Sequence, residues 1–389
     1  MARVPYTVRH IIAGDFLRAW RTIHSGVVAS TQANRQKYWK HWCAYAHICG
    51  SDPFLTKASE LETNVIVTGF AARVRTGYYG YGDQVKVHSV TDALAAISTT
   101  FELAGQPSPL YKDHNVYNLP IKRCMEGMRR QDPPPVPQLA VPITVVSNVF
   151  EAAYAQQTTE KLRAIADLII IAFYFLLRVG EYTRPRTTKV NGKEQRATRT
   201  QQFQVDNVGF FKNGIVVPRN APLADLIAAD SVTMRITNQK NGRMGQTIHH
   251  EAVTHPHCPV KAVARRVHHI LSHGGNDNSL LCDFKDDITK NKWGSVTSSD
   301  IITHVRFAVT RLGLNKAGID PDMVGAHSLR AGGAMAMKLN GVDTETIMKH
   351  GRWTGLTFMM YIHNQIAHLS TDLSAKMSKE LPFVNIANF

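Results

Sequence analysis

Residues 131–142, QDPPPVPQLAVP, place five prolines in twelve positions. Proline fixes φ and carries no amide hydrogen, so neither a helix nor a central strand can run through such a stretch. It predicts a stiff, extended spacer and splits the 389-residue chain into separately folded parts. The organisation expected on this basis is an N-terminal arm (1–27), a helical domain (28–130), the linker (131–142), a larger domain (143–365) and a C-terminal segment (366–389).

On the N-terminal side of the spacer the pattern is helical. STQANRQKYWKHWCAYAHIC opens on Ser30 and Thr31 and sets Tyr38, Trp42 and Tyr45 on one apolar face. Further helices are predicted over about 58–76, 89–105 and 116–130, with GYYGYGD as a turn. Beyond the spacer, helices are predicted over about 143–156 and 159–178, and the polar, Thr-rich residues 184–200 read as a loop. FQVDNVGFF, GIVVP, VTMRITNQ and GQTIHH alternate as strands do, the last two joined across Lys240-Asn-Gly-Arg, where Asn-Gly suits a primed hairpin turn. Helices are predicted again over about 259–273, 298–312, 327–340, 343–350 and 355–368. The fold class is therefore mainly α with a small antiparallel β-sheet.

Charge narrows the partner. Lys and Arg number 45 against 30 Asp and Glu, a formal excess of 15. The excess is spread: residues 1–140 carry 16 basic and 10 acidic side chains, leaving 29 and 20 for the remainder. Two basic halves suit a polyanion, because each cation set on a phosphate releases a condensed counterion. Five scattered cysteines do not form a disulfide framework and fit a reducing compartment. LIIIAFYFLL, residues 168–177, is too short to span a bilayer and reads as a buried helix. The Arg-bearing, acid-poor N-terminus faintly resembles a transit peptide but is read as a flexible basic arm.

One set of residues carries chemistry when taken in order. FLLRVGEY supplies Arg178 and Glu181, the hairpin Lys240, HSLR His327 and Arg330, GRW Trp353, and MMYIH Tyr361. Each alone has an ordinary reading: a helix cap, a solvated turn lysine, a packed histidine, a core aromatic. His-x-x-Arg in particular is cheap. In this order the set resembles the catalytic domain of the tyrosine recombinases, the integrase family that shares its active site with type IB topoisomerases. The wording LLRVGEYT, NQKNGRMGQTI, HPHCPVKAV, HSLRAGGA, GRWTG and YI is most similar to recombinases of Crypton-type mobile elements. The likeness runs over about residues 28–365.

The resemblance implies a helical core-binding domain and a catalytic domain closing on DNA as a C-shaped clamp. It also implies cleavage through a 3′-phosphotyrosine and a free 5′-hydroxyl. The residue types suit that chemistry. In-line attack on a phosphodiester builds charge on the non-bridging oxygens, which preorganised cations stabilise. The guanidinium forks of Arg178 and Arg330 match two phosphate oxygens, and His327, three residues before Arg330, can share its helix face. A phenol is a poor nucleophile unless cations favour phenolate, which is what this set offers Tyr361. Lys240 at a hairpin tip can protonate the 5′-oxygen leaving group. Glu181 is expected to orient Arg178 or the sheet rather than to do chemistry. No cofactor is expected, since the phosphoester bond is retained and rejoining needs neither ATP nor metal.

One departure stands out. The family has His or Trp nine residues before the nucleophile; here Trp353 precedes Tyr361 by eight, position 352 is Arg, and His350 lies eleven away. Trp353 is assigned to that role, its indole N–H toward a phosphate oxygen. Arg35, Lys37, Lys40, Lys122, Arg129 and Arg130 are candidate backbone contacts, which position a duplex without reading its sequence. The partners expected are double-stranded DNA and further copies of the chain, four on two sites, with residues 366–389 a candidate for exchange between subunits. An intracellular location follows, nuclear in a eukaryote. Two alternatives stay open: a type IB topoisomerase-like relaxing enzyme and a catalytically idle DNA-binding derivative. HHEAVTHPHC matches no zinc-finger spacing, and GYYGYG lacks the Lys-Ser/Thr of a phosphate-binding loop.

Overall fold

The structure is a computed structural model. It describes residues 8–80, 82–113, 116–134, 138–155, 158–190, 192–238, 245–286, 292–325, 327–355 and 359. The chain divides into two compact units, Met1–Pro135 with Arg186–Arg199, and Val136–Pro185 with Thr200–Phe389. The division falls inside the proline-rich stretch. Among the described residues no helix is long and apolar enough to cross a membrane.

The first unit is built on helices α1 (Arg9–Ser25), α2 (Ala29–Ile48), α3 (Glu60–Arg75), α4 (Val87–Leu103) and α5 (Leu119–Gln131). A small antiparallel pair, β1 (Tyr111–Asp113) and β2 (Val116–Tyr117), precedes α5. Trp42 of α2 is fully buried, its ring edge-on to Phe70 of α3 and its Nε1–H donated to Pro53 O at 2.7 Å. Helix α3 starts at a capping box, Ser59 with Glu62, which satisfies two orphan amides reciprocally. The buried Arg75 of α3 reaches Asp132 just past α5, and Asp132 also accepts the Val87 N–H at the start of α4. One carboxylate thus ties three helices together.

Two expectations are corrected here. The N-terminal arm contains a helix, α1, whose Ile12, Phe16, Trp20 and Ile23 recur at helical spacing. Residues 184–200 are not an open loop: β3 (Thr187–Val190) and β4 (Lys193–Arg196) pair in register from Thr187↔Arg196 to Val190↔Lys193. The overlooked signal was Asn191-Gly192, with Gly192 at φ 76, a value glycine adopts without steric cost. This hairpin belongs to the first unit, where Ala197 O accepts from Ser30 N and Arg199 Nη2 donates to Gly26 O at 2.7 Å.

The second unit centres on α7 (Glu160–Tyr174), whose residues 164–173 are all buried. Around it pack α6 (Ile143–Tyr154), α10 (Pro259–Ser272), α11 (Ser298–Arg311) and α12 (Ser328–Leu339). A short α8 (Val179–Tyr182) follows α7, α9 (Leu223–Ile227) lies before the last sheet strands, and α13 (Thr344–Gly351) follows α12. The sheet has the order β6 (Ile215–Val217), β5 (Val208–Lys212), β7 (Ser231–Ile236), β8 (Gln246–Glu251), all antiparallel. Its ladder closes at Ile236↔Gln246, and the proposed Asn-Gly turn lies outside the described residues. A further pair, β9 (Asp283–Lys285) and β10 (Trp293–Ser295), was not anticipated.

The polar exception in the α7 core is Asp167. It accepts from Arg265 Nε of α10 at 2.9 Å and from the Tyr154 hydroxyl of α6 at 2.8 Å, so the buried charge is paired and hydrogen-bonded. Helix α12 approaches α7 closely because Gly332 and Gly333 face the carbonyls of Val141 and Phe173, where a Cβ would collide with backbone.

Candidate active site

The site in the second unit begins with the way α7 ends. Leu176 sits in the left-handed region at φ 47, and Leu177 N–H returns to Ala172 O at 3.0 Å, closing the helix in a Schellman-type turn. Such turns favour glycine, and a leucine there carries backbone strain of about 1 kcal/mol. The Leu176 carbonyl accepts from Nη1 of Arg330 and, at 3.0 Å, from Nη2 of Arg352.

Arg178 is the N-cap of α8 and leads directly into Glu181. The Glu181 carboxylate is buried; its Oε2 accepts the Arg178 backbone N–H at 2.9 Å, and its Oε1 accepts from Arg178 Nη1 at 3.3 Å. Glu181 Oε2 also accepts from Arg352 Nη2 at 2.9 Å. Arg330 comes from α12, one turn after His327, and is 2% exposed. Its Nη2 donates to Gly351 O, and its guanidinium carbon lies 4.3 Å above the Trp353 ring. That is cation–π geometry. The Trp353 ring thus lies under Arg330.

Arg178, Glu181, Arg330 and Trp353 are therefore linked in one network through Arg352 and the Leu176 carbonyl, although the sequence separates the first and last by more than 170 positions. His327 stands exposed at the N-cap of α12, its backbone N–H donated to Gln138 Oε1 at 3.2 Å. Lys240 and Tyr361 lie outside the described residues. Of the candidate duplex contacts, Lys37 and Lys40 are exposed on α2, one turn apart, while Arg35 is half-buried. Lys122, Arg129 and Arg130 are exposed on α5, whose Ile121, Met125 and Met128 are buried.

Three residues escaped the sequence reading as parts of this constellation. Arg352 is 2% exposed, and its own left-handed backbone, φ 59, turns the chain from α13 into Trp353. Burial pushes its pKa down, and the Glu181 carboxylate acts in the opposite direction. The signal available was the shortened Trp353–Tyr361 spacing, which puts Arg352 nine residues before the tyrosine. His250 of β8 and His350 of α13 both direct Nε2 at the Tyr174 carbonyl, at 2.8 and 3.0 Å, with 3.1 Å between the two nitrogens. No motif marks that pair. His250 comes from the histidine-rich stretch, where among the described residues no group of three metal-ligand types converges.

Three guanidinium groups against one carboxylate leave a formal excess of two positive charges. A cavity of about 430 Å³ opens beside Arg352 and Trp353, walled by Gln246 of β8 and Lys349 of α13. Fixed cations in a partly buried setting can bind an oxyanion and stabilise added charge on it.

No family model matches this chain, and no curated protein does. Among solved structures, it is similar to the XerH site-specific recombinase bound to palindromic difH substrate in a post-cleavage complex. The TM-score is 0.48 and the identity 15%, over 85% of this chain and 76% of that one. It is also similar to the Tn1549 transposon integrase in complex with circular intermediate DNA, at TM-score 0.41 and 11% identity, over 81% and 85% of the two chains. The XerA recombinase gives 0.36 and 15%, over 90% and 100%.

Proposed function

We propose that this chain is a site-specific DNA recombinase that cuts and rejoins duplex DNA through a 3′-phosphotyrosine on Tyr361, in the service of a mobile element. The observation that carries the reading is the chain of contacts from Arg178 through Glu181 and Arg352 to the Leu176 carbonyl, where Arg330, stacked on Trp353, also donates. The integrase-like order of residues in the sequence demands that they be linked, and the ordinary reading of each residue does not. In the proposed reaction Arg178 and Arg330 take the non-bridging oxygens of the scissile phosphate. Tyr361 attacks phosphorus in line, forming the phosphotyrosyl bond as the bond to the 5′-oxygen breaks. Lys240 supplies the proton to that oxygen, and His327 assists at the phosphate. Reversal by a 5′-hydroxyl from a second duplex exchanges strands. Four protomers on two sites are the assembly this requires, and the basic faces of both units suit the duplex.

The test uses nicked duplexes that lose a short fragment after cleavage, trapping the covalent intermediate. Protein–DNA adducts on denaturing gels, absent with Tyr361→Phe, are expected. Strand exchange between two defined sites separates recombination from simple relaxation. Tight duplex binding with no adduct across a randomised target library would instead mark a catalytically idle DNA-binding protein.

A further inference from the structure

Resting on the function just proposed, the geometry points to a further participant: we infer that Arg352 is a positioning residue, which holds the Glu181 carboxylate so that this carboxylate orients Arg178 without neutralising it. The division of labour on the carboxylate carries the inference. Glu181 Oε2 takes the fully buried Arg352 Nη2 at 2.9 Å together with the Arg178 backbone N–H, while the Arg178 side chain meets the same carboxylate at Oε1 through a longer 3.3 Å contact. The Arg178 side chain stays 24% exposed, whereas Arg352 is sealed. A buried carboxylate bound to Arg178 alone would form a tight local pair and cancel the charge that a phosphate needs. Sharing it with Arg352 preserves the positive excess.

Arg352 also connects the two halves of the site. The residue before it offers its carbonyl to Arg330, the residue after it lies under the Arg330 guanidinium, and its own Nη2 reaches Leu176 O and Glu181. This placement is costly. The backbone is left-handed, and among the described residues the Arg352 Nε and Nη1 are buried without a hydrogen-bond partner. Costs of that kind persist at functional sites, where surrounding structure over-determines them.

The experiment uses the full chain and a nicked duplex carrying the site that the wild-type protein selects from a randomised library. Single-turnover cleavage, duplex affinity and thermal unfolding are measured for Arg352→Gln, Arg352→Lys, Glu181→Gln and the Arg352→Gln/Glu181→Gln double variant. Arg352→Gln is expected to cleave about tenfold or more slowly with affinity nearly unchanged. Arg352→Lys should recover part of the rate, and the double variant should be less impaired than the product of the single effects. Should Arg352→Gln fail to fold, Arg352→Lys and the double variant carry the same comparison. Wild-type cleavage with the variants equally fast overturns the inference alone. So does a loss of rate and affinity in equal proportion, which would make Arg352 a direct DNA contact. A wild-type protein that forms no adduct on any duplex overturns the functional reading and this inference with it.

Discussion

At the scale of single residues, the turn from Gly351 to Trp353 controls the site. A Cβ on Gly351 would overlap the Trp353 ring, so Gly351→Ala must displace the indole from beneath Arg330. We expect the variant to fold but to cleave about tenfold or more slowly, since a misplacement near 1 Å can cost a hundredfold. Unfolding and single-turnover cleavage, measured on the same preparation, check this; a fast, stable Gly351→Ala would show that the stacked ring is dispensable. Arg178, Glu181, Arg330 and Trp353 were legible in the sequence because each lies in a short, recognisable string. Arg352 was not, because its role depends on a left-handed turn that directs it back to Glu181. The His250–His350 contact was illegible for a related reason: a hundred positions separate the two, and no local spacing records that a strand and a helix meet at the Tyr174 carbonyl.

At the scale of elements, helix periodicity placed α2, α3, α4, α6, α7, α10, α11, α12 and α13 within a few residues of their observed ends. The central sheet was legible from alternation. Short hairpins were harder: β3–β4 is polar on most positions and β9–β10 has three residues a strand, so each buries a single residue such as Val190 or Phe284 and shows no alternating run to read. Packing between elements gives two predictions. Gly333→Ala pushes a methyl into the Phe173 carbonyl and the Leu176 side chain, and should destabilise the second unit by about 2 kcal/mol or more. Denaturant unfolding measures it, and an unchanged midpoint would mean that α12 and α7 can separate freely. The second prediction concerns pH. Burial, then the neighbouring His350, pushes the pKa of His250 down to about 3. The unfolded chain binds a proton near pH 6.5 that the folded protein refuses, so stability is full above that value and falls as pH drops toward 3. Burial and Arg266 hold His269 down to about 3 as well, so His250→Gln should reduce the acid slope of the melting temperature without abolishing it. An identical slope in the variant would rule the His250 site out as a source.

At the scale of the whole molecule, both units are basic, and Lys37 and Lys40 of α2 and Lys122, Arg129 and Arg130 of α5 are exposed. Duplex affinity should fall steeply with salt. Replacing Lys37 and Lys40 together with Gln should lower the slope of log K against log salt by about 2 if both reach phosphates. An unchanged slope would move the contact face away from α2. The central claim concerns a covalent bond, and peptide mapping of the trapped adduct tests it most directly. After digestion of protein and DNA, the account predicts a nucleotide attached through its 3′-phosphate to the peptide containing Tyr361, with a free 5′-hydroxyl on the released strand. Attachment at any other residue, or a 5′-linked nucleotide, would contradict it.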